Sequence, residues 1–96
     1  AYDVVALAAS LGGLKAIGQI LEALPSDFPA AITVVQHIHP WYPSHMAEIL
    51  SRRTPLTVKQ AESGERLQAG TVYIAPPNKH LLVNPDRTLS LSDSER

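Results

Sequence analysis

Asp3-Val4-Val5-Ala6-Leu7-Ala8-Ala9-Ser10-Leu11-Gly12-Gly13-Leu14 is the stretch that decides the fold. The apolar run 3–8 is short and continuous, the pattern of a strand buried on both faces, as parallel sheets use. The small residues and glycines of 8–13 break it. From Leu14 the apolar positions fall at Leu14, Ile17, Ile20, Leu21 and Leu24, which is helical spacing, and Pro25 stops the helix.

The same alternation continues downstream. Ala31-Ile32-Thr33-Val34-Val35-Gln36 is a second buried strand, rich in β-branched residues. Residues 37–43 form a loop, since they include Pro40 and Pro43. Ser44 caps a helix running to about Arg53, with Met46, Ile49 and Leu50 on one face, and Pro55 ends it. Leu56-Thr57-Val58-Lys59 suits a third strand and Glu62-Ser63-Gly64-Glu65 a turn. Thr71-Val72-Tyr73-Ile74-Ala75 is a further strand, after which Pro76-Pro77-Asn78 turns the chain. Leu81-Leu82-Val83 and Leu89-Ser90-Leu91 read as a hairpin around Asn84-Pro85-Asp86-Arg87. Strand–helix–strand–helix–strand demands a parallel α/β sheet with right-handed crossovers. Two helices cover only part of a sheet that is apolar on both faces. Residues 1–96 are therefore expected to be the N-terminal portion of a larger α/β domain.

Composition narrows the function. The 96 residues are 45% hydrophobic and 18% charged, a globular balance within the size of one domain. A formal net charge of −1, with five arginines and three lysines scattered along the chain, offers no basic surface to nucleic acid or acidic lipid. The absence of cysteine excludes a disulfide framework and a thiolate metal site, and fits a reducing cytoplasm. No apolar run approaches the ~20 residues of a membrane span, and the start of the chain lacks the pattern of a signal peptide.

Ser10 follows the first strand and precedes a helix, and open parallel sheets bind ligands beyond the carboxyl ends of their strands. Ala8, Ala9, Gly12 and Gly13 let the backbone turn sharply and leave a hydroxyl open. The N–H of Leu11 is the natural first donor to an oxyanion, by analogy with the nucleophile elbow. Helix capping and phosphate binding are rival readings of the turn taken alone. A dinucleotide fingerprint wants glycine where Ala8 stands and an acid where the second strand ends in Gln36, and a phosphate-loop Gly-Lys-Ser/Thr is absent.

His37 ends the second strand. Neighbouring parallel strands finish side by side, so His37 can face Ser10 as the base that takes its proton, with an unperturbed pKa near ~6.5. A backbone hydrogen bond within the loop is the competing role. His39 and His45 with His37 raise a metal site, but no Asp, Glu or Cys lies between Gln36 and Ala47, and no metal is assigned. Trp41 and Tyr42 form either a substrate wall or local packing. His80, after the Pro76-Pro77-Asn78 turn, either points toward the same sheet edge or makes a loop hydrogen bond, and the second is the preferred reading.

Val4-Val5-Ala6-Leu7-Ala8-Ala9-Ser10-Leu11-Gly12-Gly13-Leu14, Leu24-Pro25-Ser26-Asp27-Phe28-Pro29-Ala30-Ala31, Val34-Val35-Gln36-His37, Gly70-Thr71-Val72-Tyr73-Ile74-Ala75-Pro76-Pro77 and His80-Leu81 together resemble the catalytic domain of the chemotaxis protein-glutamate methylesterases. The resemblance runs in order over nearly the whole chain. It implies a doubly wound, mostly parallel, Rossmann-like three-layer α/β fold carrying a Ser-His-Asp triad, here with a terminal β-hairpin and incomplete. It implies a cytoplasmic hydrolase that removes γ-methyl esters from glutamates on chemoreceptor signalling helices, releases methanol and uses no cofactor or metal. Many members also deamidate receptor glutamines. Ser10 and His37 match the family's serine and histidine.

The family turn usually reads Gly-Ala-Ser-Thr-Gly-Gly. Here Ala8 replaces the first glycine, and Leu11 keeps the backbone donor while dropping a hydroxyl. The family's triad aspartate lies in a glycine-rich segment beyond Arg96, and Asp3, Asp27, Asp86 and Asp93 do not match it. A phosphorylatable receiver domain, frequent in the family ahead of this domain, is absent from residues 1–96. The implied partners are methylated receptor helices and such a receiver, with neither nucleic acid nor membrane. Two other classes stay open at this point: a non-catalytic methylesterase-like module that docks on receptor helices, and a nucleotide-binding α/β domain.

Overall fold

The computed structural model describes residues 4–9, 14–36, 46–76 and 79–93. In chain order the elements are β1 (Val4–Ala9), α1 (Leu14–Glu22), β2 (Ala31–Gln36), α2 (Met46–Ser51), β3 (Thr57–Gln60), β4 (Thr71–Ile74), β5 (Lys79–Val83) and β6 (Leu89–Asp93). Four strands form a parallel sheet in the order β1-β2-β4-β3, and β5 and β6 pair as an antiparallel hairpin. The strand–helix alternation and the closing hairpin expected from the sequence are both present.

β4 is central and buried along its whole length. The pleat sends alternate residues to opposite faces. Val72 and Ile74 join Ile32 and Val34 of β2 beneath Ile17 and Leu21 of α1 and Leu50 of α2. Tyr73, with Ala31 of β2, packs on the other face against Ala61, Leu67 and Leu89. Both helices cover one face because β1→β2 and β2→β3 step the same way across the sheet, and two right-handed crossovers stepping one way lie on one side. The step from β3 back to β4 reverses direction. Its connection, residues 61–70, accordingly crosses the opposite face, where Ala61 and Leu67 are buried.

That connection contains no helix and is held by the hairpin instead. Gly64 N–H donates to Leu89 O at 2.7 Å, Leu89 N–H to Glu65 O at 2.9 Å and Leu67 N–H to Arg87 O at 2.8 Å. The expected turn at 62–65 is closed by Glu65 N–H to Glu62 O at 3.3 Å, and Gly64 supplies its φ of +90°. Tyr73 fixes the rest: its Oη accepts the Gln68 N–H at 2.8 Å.

The two helices are joined at their ends. Arg53 donates from Nε and Nη2 to Glu22 Oε2 at 3.2 and 2.9 Å, and Thr54 Oγ1 donates to Leu21 O at 2.9 Å. The Arg53 guanidinium lies over Gly18, where an added Cβ would sit 2.5 Å from Nη1. Glycine in mid-helix costs about 1 kcal/mol in propensity, and here it admits the guanidinium.

Three readings need correction. Among the described residues β1 is an outer strand and is not buried on both faces: Val5 is 38% exposed and Ala6 is exposed. Ile20, placed on the apolar row of α1, is 47% exposed, because the helix lies over this outer strand and only its inner flank is covered. Ile49 of α2 is likewise exposed while Leu50 is buried, so the six-residue helix presents a narrower apolar face than its sequence suggests.

The hairpin turn carries a pH-dependent bond. Thr88 donates its hydroxyl at 2.6 Å and its N–H at 3.1 Å to Asp86 Oδ1, and these bonds hold the carboxyl below its ordinary value. A lowered carboxylate pKa contributes order above the unfolded value of ~3.9 and loses it as pH falls. Thr88 amide exchange, corrected for intrinsic rates, should therefore accelerate as pH falls below the unfolded value of ~3.9, and Asp86→Asn should remove that dependence. For the core, Tyr73→Phe should destabilise by about 1 kcal/mol in urea unfolding, the worth of one hydrogen bond. Tyr73→Ala should cost about 3–5 kcal/mol, since it also empties the second face.

Candidate active site

β1 and β2 pair in register over their full length, Val4 with Ala31 through Ala9 with Gln36. Both strands therefore finish at one level at their carboxyl ends, about 4.8 Å apart in the hydrogen-bonding direction. The residue after Ala9 is Ser10 and the residue after Gln36 is His37. β4 ends on the other side of β2, where the Ala75 N–H donates to Val34 O at 2.9 Å. The backbone thus brings the ends of β1, β2 and β4 together, with β2 in the middle. Ser10, Leu11 and His37 themselves lie outside the described residues, as do His39, Trp41, Tyr42, Ser44 and His45.

The strand ends that are described carry no charge: Ala9, Gln36, Ile74, Ala75 and Pro76. Gln36 stands at the end of β2, where a dinucleotide site wants an acid to hold ribose hydroxyls. Charge gathers at the next strand. Lys59 Nζ meets Glu65 Oε1 at 2.6 Å, and Glu65 Oε2 accepts the Glu62 N–H at 2.6 Å. The hydrogen bond to Glu65 raises the Lys59 ammonium above its ordinary value, with desolvation acting in the opposite sense. The pair spans β3 and the turn that follows it, and so braces the flank of the strand-end surface. Sequence reading found that turn but not the brace, because a lysine and a glutamate six positions apart share no face of a regular element.

His80 is not a loop residue. It lies on β5 opposite Ser92, exposed, on the side of the hairpin away from Leu81 and Leu91, which pack on the second core. Among the described residues no group of three or more His, Cys, Asp or Glu side chains is arranged to hold a metal. The histidines that raised that reading, His37, His39 and His45, fall outside them. Among the described residues, no helix is long and apolar enough to cross a membrane.

A parallel α/β sheet with its candidate chemistry at the carboxyl ends of adjacent strands is the architecture of many ligand-binding and hydrolytic domains, and comparison with known proteins selects among them. The family described as CheB methylesterase matches residues 5–96, and the chain belongs to it. The protein-glutamate methylesterase FrzG of Myxococcus xanthus is 48% identical over 90 residues, covering 94% of this chain and 27% of that protein. A protein-glutamate methylesterase/protein-glutamine glutaminase of Nitratidesulfovibrio vulgaris is 47% identical over 81 residues, covering 84% of this chain and 22% of that protein. The crystal structure of the Thermotoga maritima CheB methylesterase catalytic domain superposes with a TM-score of 0.85 at 37% identity, over 100% of this chain and 52% of that one. The chain thus spans about a quarter of these relatives and about half of the catalytic domain.

The level ending of β1 and β2 depends on their register, which a cross-link can test. Ala6 pairs with Thr33. In-register neighbours on parallel strands lie within the Cα separation that a disulfide spans, about 4.4–6.8 Å. Ala6→Cys with Thr33→Cys should close on oxidation, seen as loss of two thiols by mass spectrometry. Ala6→Cys with Val34→Cys should stay reduced, because the pleat turns those side chains to opposite faces.

Proposed function

We propose that this protein is a serine-type protein-glutamate methylesterase acting in the cytoplasm on methylated chemoreceptor signalling helices. The observation that carries the reading is the level ending of β1 and β2 with Ala9 opposite Gln36, combined with membership of the CheB methylesterase family. On this reading His37 takes the Ser10 proton as the hydroxyl oxygen attacks the ester carbonyl. The Leu11 N–H is the first donor to the oxyanion, beside a second donor outside residues 1–96. The tetrahedral intermediate collapses to an acyl-enzyme, and the leaving methoxide takes the proton from His37 and departs as methanol. Water, deprotonated by His37, then attacks the acyl carbon and returns Ser10 and a free glutamate. The uncharged strand ends suit a neutral methyl ester or a glutamine amide as the bound group, and the second of these is the glutaminase activity named among the relatives.

Residues 1–96 form the N-terminal portion of the catalytic domain on this reading. The aspartate that orients His37 comes from beyond Arg96, and a phosphorylatable receiver domain, where present, is the regulator. Neither nucleic acid nor membrane is a partner, and no cofactor or metal takes part.

Serine-directed phosphonate labelling and methanol release from methylated receptor, measured on the full-length gene product, test this. Ser10→Ala should abolish both, and His37→Gln should lower turnover on the order of 10⁴-fold or more. The 96-residue chain alone, lacking the aspartate, should be nearly inactive, since that loss alone costs about 10⁴ in a triad. Receptor binding by a full-length protein that neither labels nor releases methanol would instead identify a non-catalytic docking module.

A further inference from the structure

The two segments that carry the candidate chemistry each lead into a helix. Residues 10–13, with Ser10 and Leu11, join the end of β1 to the start of α1, and residues 37–45, with His37, join the end of β2 to the start of α2. Each segment therefore has two anchors. The sheet supplies one, through the β1–β2 register. The helix supplies the other, so the separation of the segments depends on how α1 lies against α2 as well as on the strands. A helix of nine residues such as α1 is about 13 Å long, and a tilt of about 5° displaces one end against the other by about 1 Å.

Apolar packing alone leaves such a tilt soft. Ile17, Leu21 and Leu50 share one core, but that attraction is non-directional. Directional contacts stand at the carboxyl-terminal ends of the helices. Arg53, two residues past α2, donates from Nε and Nη2 to Glu22 Oε2 at 3.2 and 2.9 Å. Thr54 Oγ1 donates to Leu21 O, one of the last carbonyls of α1, at 2.9 Å, and accepts the Leu56 N–H at 3.3 Å. The guanidinium rests against Gly18: a Cβ there would lie 2.5 Å from Nη1, 2.8 Å from Cζ and 3.2 Å from Nε. Gly18 and Glu22 are one helical turn apart on α1, so this turn receives Arg53 by shape at one end and by charge at the other.

Stability does not account for this joint. The side chains of Arg53 and Glu22 are 33% and 48% exposed, and an ion pair so open to water returns little. The glycine that makes room for the guanidinium costs the helix a comparable amount. What the arrangement does supply is a fixed separation and rotation of α1 against α2.

We propose that Arg53, seated on Gly18 and paired with Glu22, is a positioning residue for catalysis, an inference that rests on the esterase reading above. Helices that cross over between parallel strands run back against them, so the joint lies toward the amino ends of the strands, a helix length from the segments with Ser10 and His37. It locks α1 to α2 at the ends remote from the chemistry. The segments at the other ends then keep one separation through turnover, and the hydroxyl stays within reach of the imidazole. Releasing the joint leaves the substrate contacts in place but misaligns the reacting groups, which costs turnover and not substrate affinity.

Rates of methanol release and of serine-directed phosphonate labelling, with Tm measured alongside, test it on the full-length gene product. Gly18→Ala puts a methyl group where the guanidinium sits while improving helix propensity. It should keep Tm within about 3 °C, lower kcat on the order of tenfold and leave KM within about twofold, with the labelling rate falling in proportion. Arg53→Ala should do the same. Because both variants release one joint, the double variant should lose about tenfold and not about a hundredfold. Arg52→Ala, which removes the exposed pair with Glu48, should leave kcat unchanged. A kcat within about twofold of wild type in either single variant overturns the proposal. So does a loss confined to KM, a loss that tracks Tm, or losses that multiply in the double variant. A wild-type protein that neither labels nor releases methanol removes the esterase reading and this inference together, whereas an active wild type with indifferent variants removes this inference alone.

Discussion

The constraint on which the structure depends is that β4 is buried on both faces. A strand whose side chains all avoid water needs a covering layer above and another below, and a chain of this size must supply both from few elements. One layer comes from α1 and α2, which the steps β1→β2 and β2→β3 place together. The other comes from the connection 61–70 and the hairpin, because the return from β3 to β4 reverses direction and so crosses the far side. The Gly64–Leu89, Glu65–Leu89 and Leu67–Arg87 backbone bonds follow from the same need. A connection without a helix leaves its N–H and C=O groups to be satisfied, and β6 is the neighbour that satisfies them.

Much of this was legible in the residues, for identifiable reasons. β2 and β4 are β-branched runs without turn residues, so their strand character does not depend on neighbours. Pro25 and Pro55 mark the ends of helical segments through the missing N–H. Asn84-Pro85-Asp86-Arg87 announced its turn, although the residue that takes the positive φ of 69° is Arg87 and not a glycine. What could not be read was decided by non-local position. Val5 looks like a core residue, but among the described residues β1 is an outer strand of the sheet and Val5 is exposed. Ile20 and Ile49 satisfy helical spacing, but the depth of the layer beneath each helix decides whether they are covered. His80 follows two prolines and an asparagine, which hides that pairing with β6 has already begun.

The candidate site divides along the same line. Sequence supplied the residue types, Ser10 in a small-residue turn and His37 after a β-branched strand, and the expectation that neighbouring parallel strands end together. The structure supplies the registration of those strands. A slip of one residue would move one strand end by about 3.3 Å along the sheet and turn its side chains to the other face, enough to part a hydroxyl from an imidazole that must be within hydrogen-bond reach.

That registration is maintained by side chains that never approach the strand ends. Ile32 and Val34 fit beneath Ile17 and Leu21 on one face, and Ala31 fits beneath Leu89 and Tyr73 on the other, so sliding β2 against β1 would disrupt two packed layers at once. If the esterase reading holds, the precision of a Ser–His contact is therefore a property of both cores. A cavity made at Leu21 or Tyr73 would loosen β2 between its two supports. It would lower turnover through geometry before it unfolds the protein, because displacements near 1 Å at reacting groups cost on the order of 10²-fold. A site placed on strand ends gains its accuracy from the rigidity of the sheet, and the two-sided burial of β2 and β4 is the source of that rigidity here.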